Sequence, residues 1–176
     1  AGYDSQLTSA SRIRVSSGLA TKGTNDVNVK AGSEFIDSDF AIFNVNDVGQ
    51  RFRRTGDSTT YKVAKYHSTT RIELEEKYRG ISGDNVAYGI GDLGVHACVQ
   101  GFVAGVLDSE DIVLDGSNWV TGDKSFSTLT ALTKSDFTGG KITFQRQDGT
   151  ATLGVIAPGE TEIERQTVLL WPKPDS

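Results

Sequence analysis

Between Asn46 and Gly80 the chain reads NDVGQRFRRTGDSTTYKVAKYHSTTRIELEEKYRG. Turn signals interrupt its period-two runs about every 8–12 residues, the spacing of a small antiparallel barrel or sandwich. Asn46-Asp47-Val48-Gly49 reads as a turn, Arg51-Phe52-Arg53-Arg54 alternates once, and Gly56-Asp57 turns the chain again. Tyr61, Val63 and Lys65 then fall on one face, with Lys62, Ala64 and Tyr66 on the other. His67-Ser68-Thr69-Thr70 is a turn, Ile72 and Leu74 face opposite to Arg71, Glu73 and Glu75, and Val86, Tyr88 and Ile90 follow a turn near Gly83-Asp84. Successive side chains of a strand point to opposite faces, so each run buries one side only.

The remaining segments extend the pattern. Residues 1–11 are polar and read as an N-terminal arm or a loose first strand. Ile13 with Val15, and Val27 with Val29, alternate with polar residues and stop at glycine. Residues 33–43 read as a loop or short helical turn packed by aromatics. Residues 95–107 (VHACVQGFVAGVL) are too long for one simple strand and carry two glycines that weaken a helix, which leaves bent or paired strands. Asp108–Asp111 reads as an acidic turn. Further strands are expected at 112–114, 119–121, 126–132, 141–146, 150–155 and 168–171. Gln147-Asp148-Gly149 is a hairpin signal, and the Pro-containing end cannot continue a ladder. The expected fold is all-β: a small antiparallel barrel or sandwich in the first half, a further β-rich region after it, and little helix. The expected organisation is an arm at 1–11, a β-domain at 12–91, a second β-rich region at 92–170, and a tail at 171–176.

Composition limits the function classes. The chain has 20 Gly and 3 Pro in 176 residues, a bias towards strands and tight turns. A net charge of −5 argues against broad nucleic-acid binding, which wants a basic stripe. Cys98 alone cannot form an internal disulfide, which fits a cytosolic origin. No apolar run approaches the roughly 18 residues of a membrane span, and Ala1-Gly2-Tyr3-Asp4 lacks a signal-peptide signature. The chain has no Met; an initiator Met removed ahead of Ala1 would account for that and make this a complete mature product, a trimmed piece being the alternative.

Chemical motifs are few. Gly56-Asp57-Ser58 matches the nucleophile block of one esterase class, yet only His67 and His96 are available as bases, and turn chemistry explains the tripeptide. His96 and Cys98 share a strand face; two residues are a weak metal signal, and packing on a buried strand is preferred. Asp108, Glu110, Asp111 and Asp115 do not follow the spacing of a helical calcium loop and read as a solvated turn. Glu34, Asp37 and Asp39 offer carboxylates whose pairing depends on geometry. The concentrated basic patch is Arg51, Arg53 and Arg54 with Lys62 and Lys65. It meets an acidic partner or DNA in a channel, or it is a solvated face balanced by Glu73, Glu75 and Glu76, the preferred reading.

The order of parts from the first strand to Tyr88 resembles a small β-domain found repeatedly in tailed-bacteriophage virion proteins. The matching residues are Val15 and Gly18, Gly23-Thr24, Phe43, Asp47-Val48-Gly49, Arg53, Tyr61-Lys62-Val63, Ser68-Thr69-Thr70, Leu74, Tyr78-Arg79-Gly80, Gly83 and Tyr88. The resemblance covers about half of the chain and departs between Gly23 and Phe43, where this chain is longer. It implies that Asp47, Gly49 and Gly80 build corners and that Val63, Leu74 and Tyr88 fill a barrel. It further implies a non-enzymatic virion protein, made in the host cytoplasm, with no cofactor, no metal, no membrane contact and no sequence-specific nucleic acid. The leading expectation is a neck component: a head-to-tail connector, stopper or tail adaptor, forming a homo-oligomeric ring against portal, adaptor, tail or major capsid proteins. The alternatives are a capsid decoration protein and a receptor- or carbohydrate-binding module of a tail fibre. The last wants exposed aromatics, with Trp119, Phe126 and Tyr66 as candidates and core packing as the competing explanation.

Overall fold

The computed structural model describes residues 6–162. Thirteen strands run in the order β1 (Gln6–Ser17), β2 (Val27–Val29), β3 (Phe35–Ser38), β4 (Arg51–Arg54), β5 (Tyr61–Ser68), β6 (Arg71–Leu74), β7 (Gly83–Val86), β8 (Tyr88–Gly91), β9 (Leu93–Val103), β10 (Val106–Asp115), β11 (Val120–Lys134), β12 (Ile142–Arg146) and β13 (Thr152–Ile156). Among the described residues the one helical element is a 3-10 turn at Val45–Asp47. The all-β expectation therefore holds. All strand pairings are antiparallel, in two sheets.

The chain divides into two units, residues 19–94 and residues 6–18 with 95–162. The first unit holds the seven-stranded sheet β7-β2-β3-β6-β5-β4-β8. Its terminal members β7 and β8 are separated by Ala87 alone, so one kinked strand serves both ends and the sheet must curl. Lys22 completes the curl by exchanging two backbone hydrogen bonds with Ile90, of 3.0 and 2.8 Å, while Tyr88 N donates to Thr24 O. Val63, Leu74 and Tyr88 are all buried inside, as expected. Phe52 stacks on Tyr88 with ring centroids 6.0 Å apart, and Tyr61 tilts against Tyr78 at 5.4 Å.

The β5–β6 register departs from simple alternation. A bulge lies between Val63 and Lys65 in the β5–β6 pairing. Tyr66 is thereby set opposite buried Ile72 and packs on the core, and Lys65 turns out opposite Glu73. An extra residue in one strand inverts the faces that follow, here up to a second irregularity between Tyr66 and Ser68, and no composition signal announces this.

The second unit holds the six-stranded sheet β10-β9-β11-β1-β12-β13. Strand β11, 15 residues long, pairs along its first half with β1 (Val15 with Val120, Gln6 with Thr128) and along its second half with β9 (Phe102 with Thr128, Ala97 with Lys134). The sheet folds back on itself. From β10 the Glu110 carboxylate reaches the backbone N–H groups of Asp123 and Lys124 on β11, and Ser17 N donates to Gly116 O at 2.9 Å. A strand shared between two layers is how such sheets turn a corner. Ile13, Val99, Phe126, Leu132 and Phe144 lie in the core so enclosed.

Several expectations are corrected. Residues 6–11 belong to β1, so of the two readings the first strand holds and the arm does not. Residues 12–18 pair with β11 and β12, so the 12–91 and 92–170 division gives way to a unit of 19–94 set within the chain of the other. Residues 35–38 are a strand, and Gly83-Asp84 lies in β7. Asp108–Asp111 lies in mid-strand, because the 95–107 run is a hairpin whose turn comes earlier, at Ala104 (φ 49°) and Gly105 (φ 81°). Residues 119–121 and 126–132 merge into β11 and its approach. The expected 147–149 hairpin forms, with Gly149 N donating to Arg146 O at 2.8 Å. The expectations for 1–5, 168–171 and the 171–176 tail lie outside the described residues.

Candidate functional site

The basic residues sit on β4 and β5 of the 19–94 unit. Phe52 is fully buried, so Arg51 and Arg53 point away from the core by strand alternation. Lys62 lies directly opposite Arg51. These three come together, and each is engaged by neighbouring groups. Arg54 does not join them. Its parity is opposite, and its Nη1 donates to Ile81 O at 2.6 Å near Tyr78. Lys65 is carried off by the bulge and faces Glu73. Glu73 also takes His67 Nε2 at 2.6 Å, and Glu76 pairs with Arg79 at 2.6 Å, so Glu76 balances Arg79 and not the arginine patch.

The corner residues have separable reasons. Asp47 is buried, and its carboxylate accepts from Asn44 N at 2.9 Å, closing a capping box around the 3-10 turn. Lys22 Nζ donates to the same carboxylate and, at 2.9 Å, to Ile42 O. Asp47 thus joins the 44–47 turn to the segment that closes the curled sheet. Gly49 stands at φ 85°, a left-handed conformation that side chains disfavour, and its N–H donates to Val63 O. Gly80 is required for space and not for a corner: a Cβ there would lie 2.3 Å from Tyr78 Oη and 2.7 Å from Asp57 Oδ2.

That contact explains Gly56-Asp57-Ser58. Tyr78 Oη donates to Asp57 Oδ2 at 2.7 Å, and burial followed by this hydrogen bond pushes the tyrosine hydroxyl above its usual range. Asp57 is committed to Tyr78 and His67 to Glu73, and neither is hydrogen-bonded to Ser58. A recess of about 280 Å³ lies beside this turn, lined by residues 56–59, Tyr61, Arg79 and Gly80.

In the other unit His96 and Cys98 share the outer face of β9, not the packed face that was expected: the His96 side chain is 52% exposed and Cys98 half-buried. Asp111 of β10 lies near both. His96 Nδ1 is 3.8 Å away, and burial first, then a hydrogen bond to Asp111, pushes the Cys98 thiol up, away from thiolate reactivity. The other strand carboxylates are dispersed, Asp108 to Lys124 Nζ at 2.7 Å and Glu110 to the β11 backbone. Among the described residues no three His, Cys, Asp or Glu side chains gather closely enough to hold a metal. The two carboxylate oxygens of Asp37 accept from one guanidinium edge of Arg71, from Nε at 2.5 Å and from Nη2 at 3.0 Å.

Of the three aromatic candidates, Phe126 is fully buried and Tyr66 packs on its core, whereas Trp119 is 41% exposed. Sequence reasoning missed its partner. The Arg14 guanidinium lies over the Trp119 ring at 4.3 Å, although more than a hundred residues separate them in sequence. No family model, curated protein or solved structure matches the chain.

Proposed function

We propose that this chain is a non-enzymatic structural protein of a tailed-phage virion, acting in neck or tail assembly. What supports the reading is the position of the residues that carry the resemblance. From Gly23 to Tyr88 all of them fall within the 19–94 unit, in its curled sheet or in the turns between its strands, and several have a constructional role there. Asp47 ties the closing segment, Gly49 makes a corner, Gly80 leaves room for the Tyr78–Asp57 pair, and Phe43 and Tyr88 pack edge to face at 6.3 Å. Val15 and Gly18 are the exceptions and belong to the other unit.

On this reading the outward row Arg51, Arg53 and Lys62 contacts a neighbouring virion protein, and stability in the particle is raised by mass action. Immunogold electron microscopy tests it, with antiserum against the purified chain applied to virions from the source culture. Label at the head–tail junction or along the tail is expected. Label over the capsid faces would favour the decoration alternative, and label absent from intact particles would end the virion reading. Light scattering over a dilution series adds the oligomeric state, with a monomer expected for a neck component and a stable trimer for a shell clamp.

A further inference from the structure

The outer face of β11, β1, β12 and β13 carries a stripe of mutually fixed polar groups. Arg14 of β1 is aligned with Thr121 of β11 on one side and Gln145 of β12 on the other, and Gln145 with Thr152 of β13. Arg14 donates from Nε and Nη2 to Gln145 Oε1 at 3.2 and 2.7 Å, and Gln145 Nε2 donates to Thr152 Oγ1 at 3.2 Å. The same guanidinium lies over the Trp119 indole. The Asp148–Gly149 turn closes beside it: a Cβ on Gly149 would come within 2.5 Å of Arg14 Nη2. Guanidinium, amide and hydroxyl thus stand in a row across three neighbouring strands, about 4.8 Å apart, with the indole stacked on the guanidinium.

Arg14 carries the one charge of this row. Arg12 is paired with Asp123 at 3.2 Å, and Arg146 lies 4.0 Å from Asp148. Among the described residues no carboxylate comes within ion-pair reach of Arg14. Hydrogen bonds from Thr150 hold the Asp148 carboxyl below its usual range, with Arg146 and then Arg14 adding to the pull through space. A guanidinium has five N–H donors in a planar fork, and Gln145 accepts from Nε and one Nη2 donor, leaving Nη1 and the second Nη2 hydrogen for an acceptor.

We infer that the Trp119–Arg14–Gln145–Thr152 stripe binds an acidic sugar, with the sugar carboxylate on Arg14, the ring's C–H face against the exposed part of Trp119, and ring hydroxyls on Gln145 and Thr152. The chemistry favours a glycan over a protein surface. A protein hot spot wants its Trp, Tyr or Arg anchors in a fully desolvated pocket, whereas Trp119 is 41% exposed and the groups beside Arg14 on this face are an amide and a hydroxyl. The fork matches a carboxylate bidentately, and the pre-set side chains lose little entropy on binding. The inference goes beyond the virion reading and does not depend on it.

Tryptophan fluorescence tests it in a Trp171→Phe background, which leaves Trp119 as the reporter. Galacturonate oligomers and polysialate are the acidic probes, dextran the neutral control and dextran sulfate the generic polyanion control. A saturable change with at least one acidic sugar is expected, weakened at least tenfold by Arg14→Met and by Trp119→Ala, with unchanged circular dichroism. Arg14→Lys keeps the charge and loses the fork, so it should also weaken binding, and it replaces Arg14→Met should that variant fail to fold. No response to either acidic sugar would overturn the proposal. So would an equal response to dextran sulfate or dextran, or binding that survives Arg14→Lys in full. Loss of virion labelling leaves this outcome untouched, so the two readings fail separately.

Discussion

The two units solve the same problem, closing an antiparallel sheet, with different materials. Among the described core residues the 19–94 unit uses five aromatic rings in twelve (Phe43, Phe52, Tyr61, Tyr78, Tyr88), whereas its neighbour uses two in fourteen (Phe126, Phe144). The aromatic unit has short strands and closes through buried polar groups, Asp47 with Lys22 and Tyr78 with Asp57. The aliphatic unit has long strands and closes by folding β11 across two layers. Short strands supply few ladder hydrogen bonds, so corners there must be pinned individually.

The comparison is broken most forcefully at the cores. Val63→Asp puts an unpaired carboxylate into the aromatic core, and loss of soluble protein is the expected result, read from the soluble fraction on expression. A soluble, folded Val63→Asp would mean that the β5 faces are inverted. Next in size is Asp47→Ala. It strands Asn44 N–H and removes the carboxylate partner of Lys22, at a cost of about 2–3 kcal/mol measured by urea titration. Hydrogen exchange should accelerate in 19–94 and stay unchanged in 95–162, and equal acceleration in both would show the units to unfold as one.

Tyr78→Phe sharpens the point with pH. The folded hydroxyl titrates above its ordinary value near 10, so its stabilising contribution is present below that value and is lost as pH rises through the folded one. The variant should cost about 1 kcal/mol at neutral pH and flatten the loss of stability above pH ~10. An unchanged alkaline limb would place its cause elsewhere. The smallest effect belongs to Asp108→Asn in the aliphatic unit. The Lys124 hydrogen bond, then that from Ser109, holds this carboxyl below its usual 3.8, so its contribution is present above that value and fades as pH falls through the lower folded one. The variant should soften the midpoint's acid dependence only below pH ~4, with little change at neutrality.

Much of this architecture was legible. Alternation over 61–63 and 72–74, and the Asp148-Gly149 turn, report local geometry that four to eight residues determine. What stayed hidden depends on distant partners. The bulge after Val63 is set by how β6 lies beside β5, and it reversed the faces assigned to Lys65 and Tyr66. The paired-strand reading of 95–107 holds, but its turn at Ala104-Gly105 puts a non-glycine residue at positive φ, which propensity disfavours, while the acidic residues beyond it, which read as a turn, lie in a strand. For the candidate sites, Gly49 could be recognised from its turn, whereas the space filled at Gly80, the diversion of Arg54 and the Arg14–Trp119 stack all require residues brought together by the fold.

The placement of β1 has a consequence in time. Its residues precede the whole 19–94 unit, yet its partners are β11 and β12; Arg12 donates to Gly122 O across 110 positions. During translation at about 5–20 residues per second, β1 is synthesised ahead of its partners and waits several seconds for them. Its pairing groups stay unclaimed while the intervening unit has all it needs to close. Strand β1 is therefore among the last of the described strands to be seated, and for that interval a nascent chain offers its neighbours on the same message an open edge.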